Sequence, residues 1–127
     1  MRGVGARRAA AALALALAAG CAHAPVPGDE AGGEVGLASV YADRLQGHRT
    51  ASGAPYDREA FTCAHRTLPF GAQVEVTALD SGRRVVVTVT DRGPHVAGRV
   101  VDLSLAAARA LGVGGRGLLR VRVERVR

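Results

Sequence analysis

Lysine and tryptophan are absent from this chain, and only four residues in 127 carry an aromatic ring: Tyr41, Tyr56, Phe61 and Phe70. So few flat side chains leave little on which nucleic-acid bases could stack, which argues against a single-strand-binding surface. All seventeen basic residues are arginine. Beside abundant Ala, Gly and Val, that points to coding bias more than to selection for a polyanion. Cysteine is scarce too, with Cys21 and Cys63 alone. No internal disulfide is expected if Cys21 carries lipid, so the fold must rest on core packing. Cys63, among the apolar and small residues of FTCAH, reads as a small buried hydrophobe and not as a nucleophile. Beyond the first twenty residues no apolar run is long enough to span a bilayer, and no internal repeat is visible.

What the chain does have begins at its first residue. MRGVGARRAA is a short positive segment, AAALALALAAG an apolar one ending in small residues, and Cys21 follows at once. This order reads as a bacterial export signal over residues 1–20. LAAGC at 17–21 resembles a lipobox, so Cys21 is the expected lipidation site. Without Arg2, Arg7 and Arg8, fourteen arginines face eleven acids, a net charge of +3. That charge gives a mild attraction to an anionic wall or membrane. Residues 21–35, rich in Pro, Gly and small side chains, read as a flexible tether of roughly 20 Å as a coil. The folded domain is expected over 36–127.

Within it, GLASVYA (36–42) has the composition of a strand. The polar stretch 43–60 is interrupted by Gly47, Gly53 and Pro55; loops of that length are usually functional or disordered. QVEVTAL (73–79) and RRVVVTVT (83–90) flank the turn DSG and read as a β-hairpin with Val74, Val76 and Ala78 on one face. RVVDL (99–103) is another strand. Ser104 is a candidate N-cap for a helix through LAAARAL that stops at Gly112. LLRVRVERV (118–126) alternates, with Leu119, Val121 and Val123 inward. Short strands, one short helix and many turns suit a closed or nearly closed barrel.

The stretch most suggestive of chemistry is TDRGPH (90–95). Counting by twos places Asp91 on the same face as Val85, Val87 and Val89, at the rim of an apolar wall. A carboxyl in such a setting is favoured in its protonated form, which suits a general acid. Arg92 would oppose this if its guanidinium turned inward. A turn-capping role for Asp91 fits composition and spacing equally well. Asp102, just before the helix N-cap, reads more readily as structural. His48, His65 and His95 have no local metal-ligand spacing, and no metal or cofactor is expected.

Taken together, GLASVYA, TASGAPYD, CAHRTLPFG, TDRGPH and GRVVDLS resemble, in order and interval, the rare lipoprotein A family of lipid-anchored periplasmic proteins. That resemblance implies an all-β fold, a six-stranded double-psi β-barrel with one short helix, related to expansins and barwin. It also implies endolytic lytic transglycosylase activity on peptide-poor peptidoglycan glycan strands. In that reaction the C6 hydroxyl of muramic acid attacks its own anomeric carbon and leaves a 1,6-anhydro end. The resemblance puts Asp91 in the acid/base role and His65 in the same cleft, with Tyr41, Thr50, Tyr56 and Arg92 as substrate-binding residues. Where the family commonly reads TASGE, this chain has Ala54; Asp57 and Glu59 are the candidate replacement carboxylates on the same loop. Val40 and His95 stand where the family has aromatics. The alternative is a non-catalytic, expansin-like module that binds wall glycan. Either way the expected partners are glycan strands and, through Cys21, a membrane. The expected form is a monomer facing the periplasm, with Ala22 favouring the outer membrane.

Overall fold

A computed structural model describes residues 33–113 and 117–127; the expected leader, Cys21 and nearly all of the tether fall outside the described residues. Six strands are present: β1 Glu34–Val40, β2 Thr62–Ala64, β3 Gln73–Ala78, β4 Arg84–Asp91, β5 Arg99–Leu103 and β6 Leu119–Arg125. One helix, α1, spans Leu105–Ala110, and a single 3-10 turn covers Asp43–Leu45. The strands close into a barrel in the order β1-β5-β2-β4-β3-β6. Two of its six pairings, β1 with β5 and β2 with β4, are parallel and the rest antiparallel. This is the expected six-stranded double-psi β-barrel.

Alternation in the sequence accounts for the core. Val74, Val76 and Ala78 of β3, Val87 and Val89 of β4, and Val121 and Val123 of β6 all turn inward and are nearly or fully buried. Val101, Leu103 and Cys63 complete this interior from β5 and β2. Each full aliphatic burial contributes about 1.5–3 kcal/mol before chain entropy is counted. Burial also pushes the Cys63 thiol up to about 12, so it stays protonated and inert, as its sequence context suggests. Every residue of the core cluster lies between Ala38 and Val123. The ladder is closed as well, so the barrel draws its whole core from the described part of 33–127.

Two elements differ from the expectation. β1 begins at Glu34, two residues before Gly36. The three-residue β2 has no counterpart among the expected strands, because so short a segment carries no period. Its place is fixed by partners on both sides, β4 and β5. Gly36 is needed where β1 crosses β5, since a Cβ there would lie 2.5 Å from Val100 Cγ1. Ser104 caps α1 as expected: its Oγ accepts from the Ala107 N–H at 3.2 Å. Gly112 follows the helix at φ 87°.

One irregularity positions the site. Cys63 pairs with Val89, but the next residue, Ala64, pairs with Asp91, so β4 bulges at Thr90. Register partners share a face of the sheet, and a bulge shifts the alternation by one. Asp91 therefore leaves the valine face, where counting by twos had put it, and joins an outward row. Across the sheet this row reads Ser39, Asp102, Ala64, Asp91.

Candidate functional site

The polar stretch 43–60 folds back on itself and covers that row. Gly47 N–H donates to the Tyr56 carbonyl at 2.8 Å and Tyr56 N–H to the His48 carbonyl at 2.7 Å, making a short ladder with a tip at 50–54. Thr50 Oγ1 ties the tip together by donating to the Ala54 carbonyl at 2.6 Å. The tip then docks on the end of β4, where Ser52 N–H donates to the Thr90 carbonyl at 3.1 Å. Beside it, Ala51 N–H donates to Asp91 Oδ1 at 2.8 Å.

The other oxygen of Asp91, Oδ2, accepts from Tyr41 Oη at 2.5 Å. Burial, and then this hydrogen bond, raise the Tyr41 phenol far above its ordinary value, so it remains a donor. The Tyr41 ring meets Tyr56 edge-on at 4.5 Å between centroids. Tyr56 is itself buried, and its Oη accepts from the Leu105 N–H at 3.2 Å. The loop is thereby anchored to the start of α1. Tyr41, Leu45, His48, Arg49, Thr50, Tyr56 and Asp91 line one shallow open cleft.

Four of the expected residues, Tyr41, Thr50, Tyr56 and Asp91, thus come together. His65 and Arg92 are outside that lining and join Asp91 through the backbone. His65 N–H donates to the Asp91 carbonyl at 3.1 Å, and Arg92 Nη1 donates to the His65 carbonyl at 3.1 Å. The Arg92 guanidinium lies 4.1 Å from the centre of the Phe70 ring. No ion pair among the described residues links it to the Asp91 carboxylate. The buried His65 ring is held in its own turn, with Nδ1 accepting from the Thr67 and Leu68 N–H groups at 3.1 and 3.2 Å. Its proton therefore sits on Nε2, which meets Glu34 Oε1 at 3.1 Å.

A second carboxyl, read from sequence as mainly structural, belongs to the same row. Asp102 accepts a hydrogen bond from Ser39 Oγ. Two strand spacings separate it from Asp91, about 10 Å between Cα atoms. Burial raises its carboxyl above the ordinary value; Ser39, Arg99 and His95 pull it partly back, and Asp91 adds to the rise. The DRGP turn packs against it: Gly93 stands at φ 132°, a conformation that favours glycine, and a Cβ there would lie in ordinary contact range of Asp102 Oδ2, at 3.5 Å. The row thus holds two carboxyls, Asp91 with both oxygens accepting hydrogen bonds and Asp102 raised by burial.

The carboxylates considered as replacements for the one lost at Ala54 have other partners. Asp57 accepts from the Glu59 N–H at 2.9 Å, and Glu59 faces Arg109 at 3.7 Å. Among the described residues no group of three or more His, Cys, Asp or Glu side chains converges as metal ligands.

A family model described as lytic transglycolase matches residues 33–123. The chain belongs to that family. Over 99 residues it is 50% identical to the probable endolytic peptidoglycan transglycosylase RlpA of Treponema pallidum, covering 75% of this chain and 31% of that protein. It is 50% identical over 90 residues to the endolytic peptidoglycan transglycosylase RlpA of Pseudomonas aeruginosa strain UCBPP-PA14, covering 71% and 26%. The chain spans 24% to 39% of the length of the curated relatives it matches. Among solved structures, an apo expansin of Clavibacter michiganensis is similar at TM-score 0.55 and 25% identity, over 73% of this chain and 50% of that one. A Streptomyces papain inhibitor is similar at TM-score 0.53 and 26% identity, over 72% and 94%. The lytic transglycolase family and the expansin thus share one barrel architecture with this chain, a family-level relationship to glycan-acting proteins.

Proposed function

We propose that this domain binds peptidoglycan glycan strands across the cleft at the Asp91 end of its barrel. The observation that carries the reading is the convergence of Tyr41, Thr50 and Asp91 under one loop, in a family whose relatives are named peptidoglycan transglycosylases. The finer reading is that the bound strand is cut there. A proton passes from Asp91 to the glycosidic oxygen between N-acetylmuramic acid and N-acetylglucosamine, and that bond breaks. The C6 hydroxyl of the muramic residue closes onto its own C1 and gives its proton back to the same carboxylate. No water enters, so one acid/base suffices where hydrolases need a pair. Tyr41 and Ala51 N–H hold the Asp91 carboxylate, and His65 acts as a positioning residue through its backbone.

The second reading, an expansin-like module that holds the strand without cutting, draws on Ala54 and on the structural likeness to an expansin. The engagement of Asp57 and Glu59 elsewhere supports it, and it requires fewer steps than cleavage. One experiment separates the two: residues 33–127 incubated with peptide-stripped strands, with products read by mass spectrometry. Ends in 1,6-anhydro-muramic acid, reduced about 10²-fold or more by Asp91→Asn, support cleavage. Intact strands that co-sediment with the protein support the binding module.

Export, lipidation at Cys21 and anchoring to the outer membrane as a monomer belong to the same proposal. Among the described residues no helix is long and apolar enough to cross a membrane. Palmitate labelling that disappears in Cys21→Ser is the expected result for the full chain.

A further inference from the structure

The cleft that holds Asp91 also holds one permanent cation, Arg49. Its backbone is fixed by the bridge to Pro55 and by the ladder below the loop tip. Its guanidinium is not fixed in the same way. The only hydrogen bond it makes among the described residues is a long one, Nη1 to the Gly53 carbonyl at 3.4 Å. No carboxylate of the described residues pairs with it, whereas Arg84 and Arg109 each have one and Arg58 has two. A guanidinium carries five donors in a planar fork, suited to bidentate pairing with a carboxylate. Arg49 lines the cleft, is exposed, and commits its fork to no carboxylate of the described residues. His48 lines the same cleft but offers two ring nitrogens at most.

We infer that Arg49 reads the free lactyl carboxylate of muramic acid, so that charge on the strand, and not its sugar backbone alone, selects what the cleft accepts. The inference rests on the glycan reading above and names the chemical feature of the ligand. A β-1,4 amino-sugar strand is neutral except at the lactyl ether on C3 of its muramic residues. Where a stem peptide is attached, that carboxyl is an amide and carries no charge. A chitin oligosaccharide has the same backbone and no lactyl group. Arg49 therefore tells the free-carboxyl strand from the other two polymers by a single anion.

The test uses residues 33–127 in equilibrium binding to three ligands: peptide-free peptidoglycan strands, the same strands with the lactyl carboxyls converted to amides, and chitin oligosaccharides of matched length. The native domain is expected to bind the free-carboxyl strands about tenfold more tightly than the other two. That preference shrinks as salt is raised. Arg49→Gln is expected to bind all three alike, at the native domain's affinity for the amide. Arg49 is exposed, and an unchanged melting temperature for the variant confirms that its fold is intact. Equal binding of the three ligands by the native domain overturns the role of Arg49 and leaves the glycan reading standing. A preference that survives in Arg49→Gln does the same. No binding to any of the three overturns the glycan reading and this inference together.

Discussion

The β3–β6 side of the barrel and the β5–β2 side lie opposite one another in the ring, and both carry polar residues on their outer faces. On the first, Glu75 is the register partner of Glu124 and Thr77 of Arg122. Glu75, half-buried, meets the exposed Arg84 at 3.8 Å. That cation offsets part of the repulsion between the two neighbouring carboxylates. On the second side the outward row Ser39, Asp102, Ala64, Asp91 is roofed by the loop tip at 50–54 and by the DRGP turn. Asp102 is raised by burial and both oxygens of Asp91 are taken up. The first wall is unroofed and the second is covered. The difference lies in the roof and in the bulge at Thr90 that turns Asp91 toward it.

Substitutions should separate what the two sides share from what they do not. The shared core is the costliest to disturb: Leu103→Ala, deep in β5 at 1% exposure, is expected to lose about 2–5 kcal/mol in urea unfolding. A loss under 1 kcal/mol would mean that the roofed side, not the common core, supports the barrel. Next comes Asp102. Its carboxyl is raised in the native state, so the folded protein keeps a proton that the unfolded chain has already released. Stability is therefore expected to fall as pH rises through that window, above the ordinary aspartate range. Asp102→Asn should flatten the fall, measured as urea midpoints over a pH series; an unchanged slope would remove the contrast between the two walls. The smallest effect is expected on the unroofed side, where Glu75→Gln should shift stability by about 0.5 kcal/mol or less.

Much of this molecule was legible in the sequence, and the exceptions have physical causes. The hairpin of β3 and β4, the Ser104 cap and the inward residues of β6 all follow from periodicity and cap chemistry, which are local. β2 is not local: three residues become a strand only because two neighbours bracket them. The bulge at Thr90 is likewise a property of pairing, invisible in RRVVVTVTD, yet it decides which face Asp91 occupies. Asp91, Tyr41 and Thr50 were legible through motif resemblance. Asp102 was visible in VDLS, but its kinship with Asp91 appears only in the register. The Ala51 N–H that serves Asp91 has no sequence signature at all, since every residue but proline has one.

That last contact makes Asp91 and the loop a single mechanical part. The donor that steadies Asp91 sits on the segment that also lines the cleft, one residue from Thr50 and two from Arg49. Any displacement of the loop tip reaches the carboxylate directly, as a change in the length of one hydrogen bond. Whatever shifts residues 50–54 therefore also changes the electrostatic surroundings of Asp91.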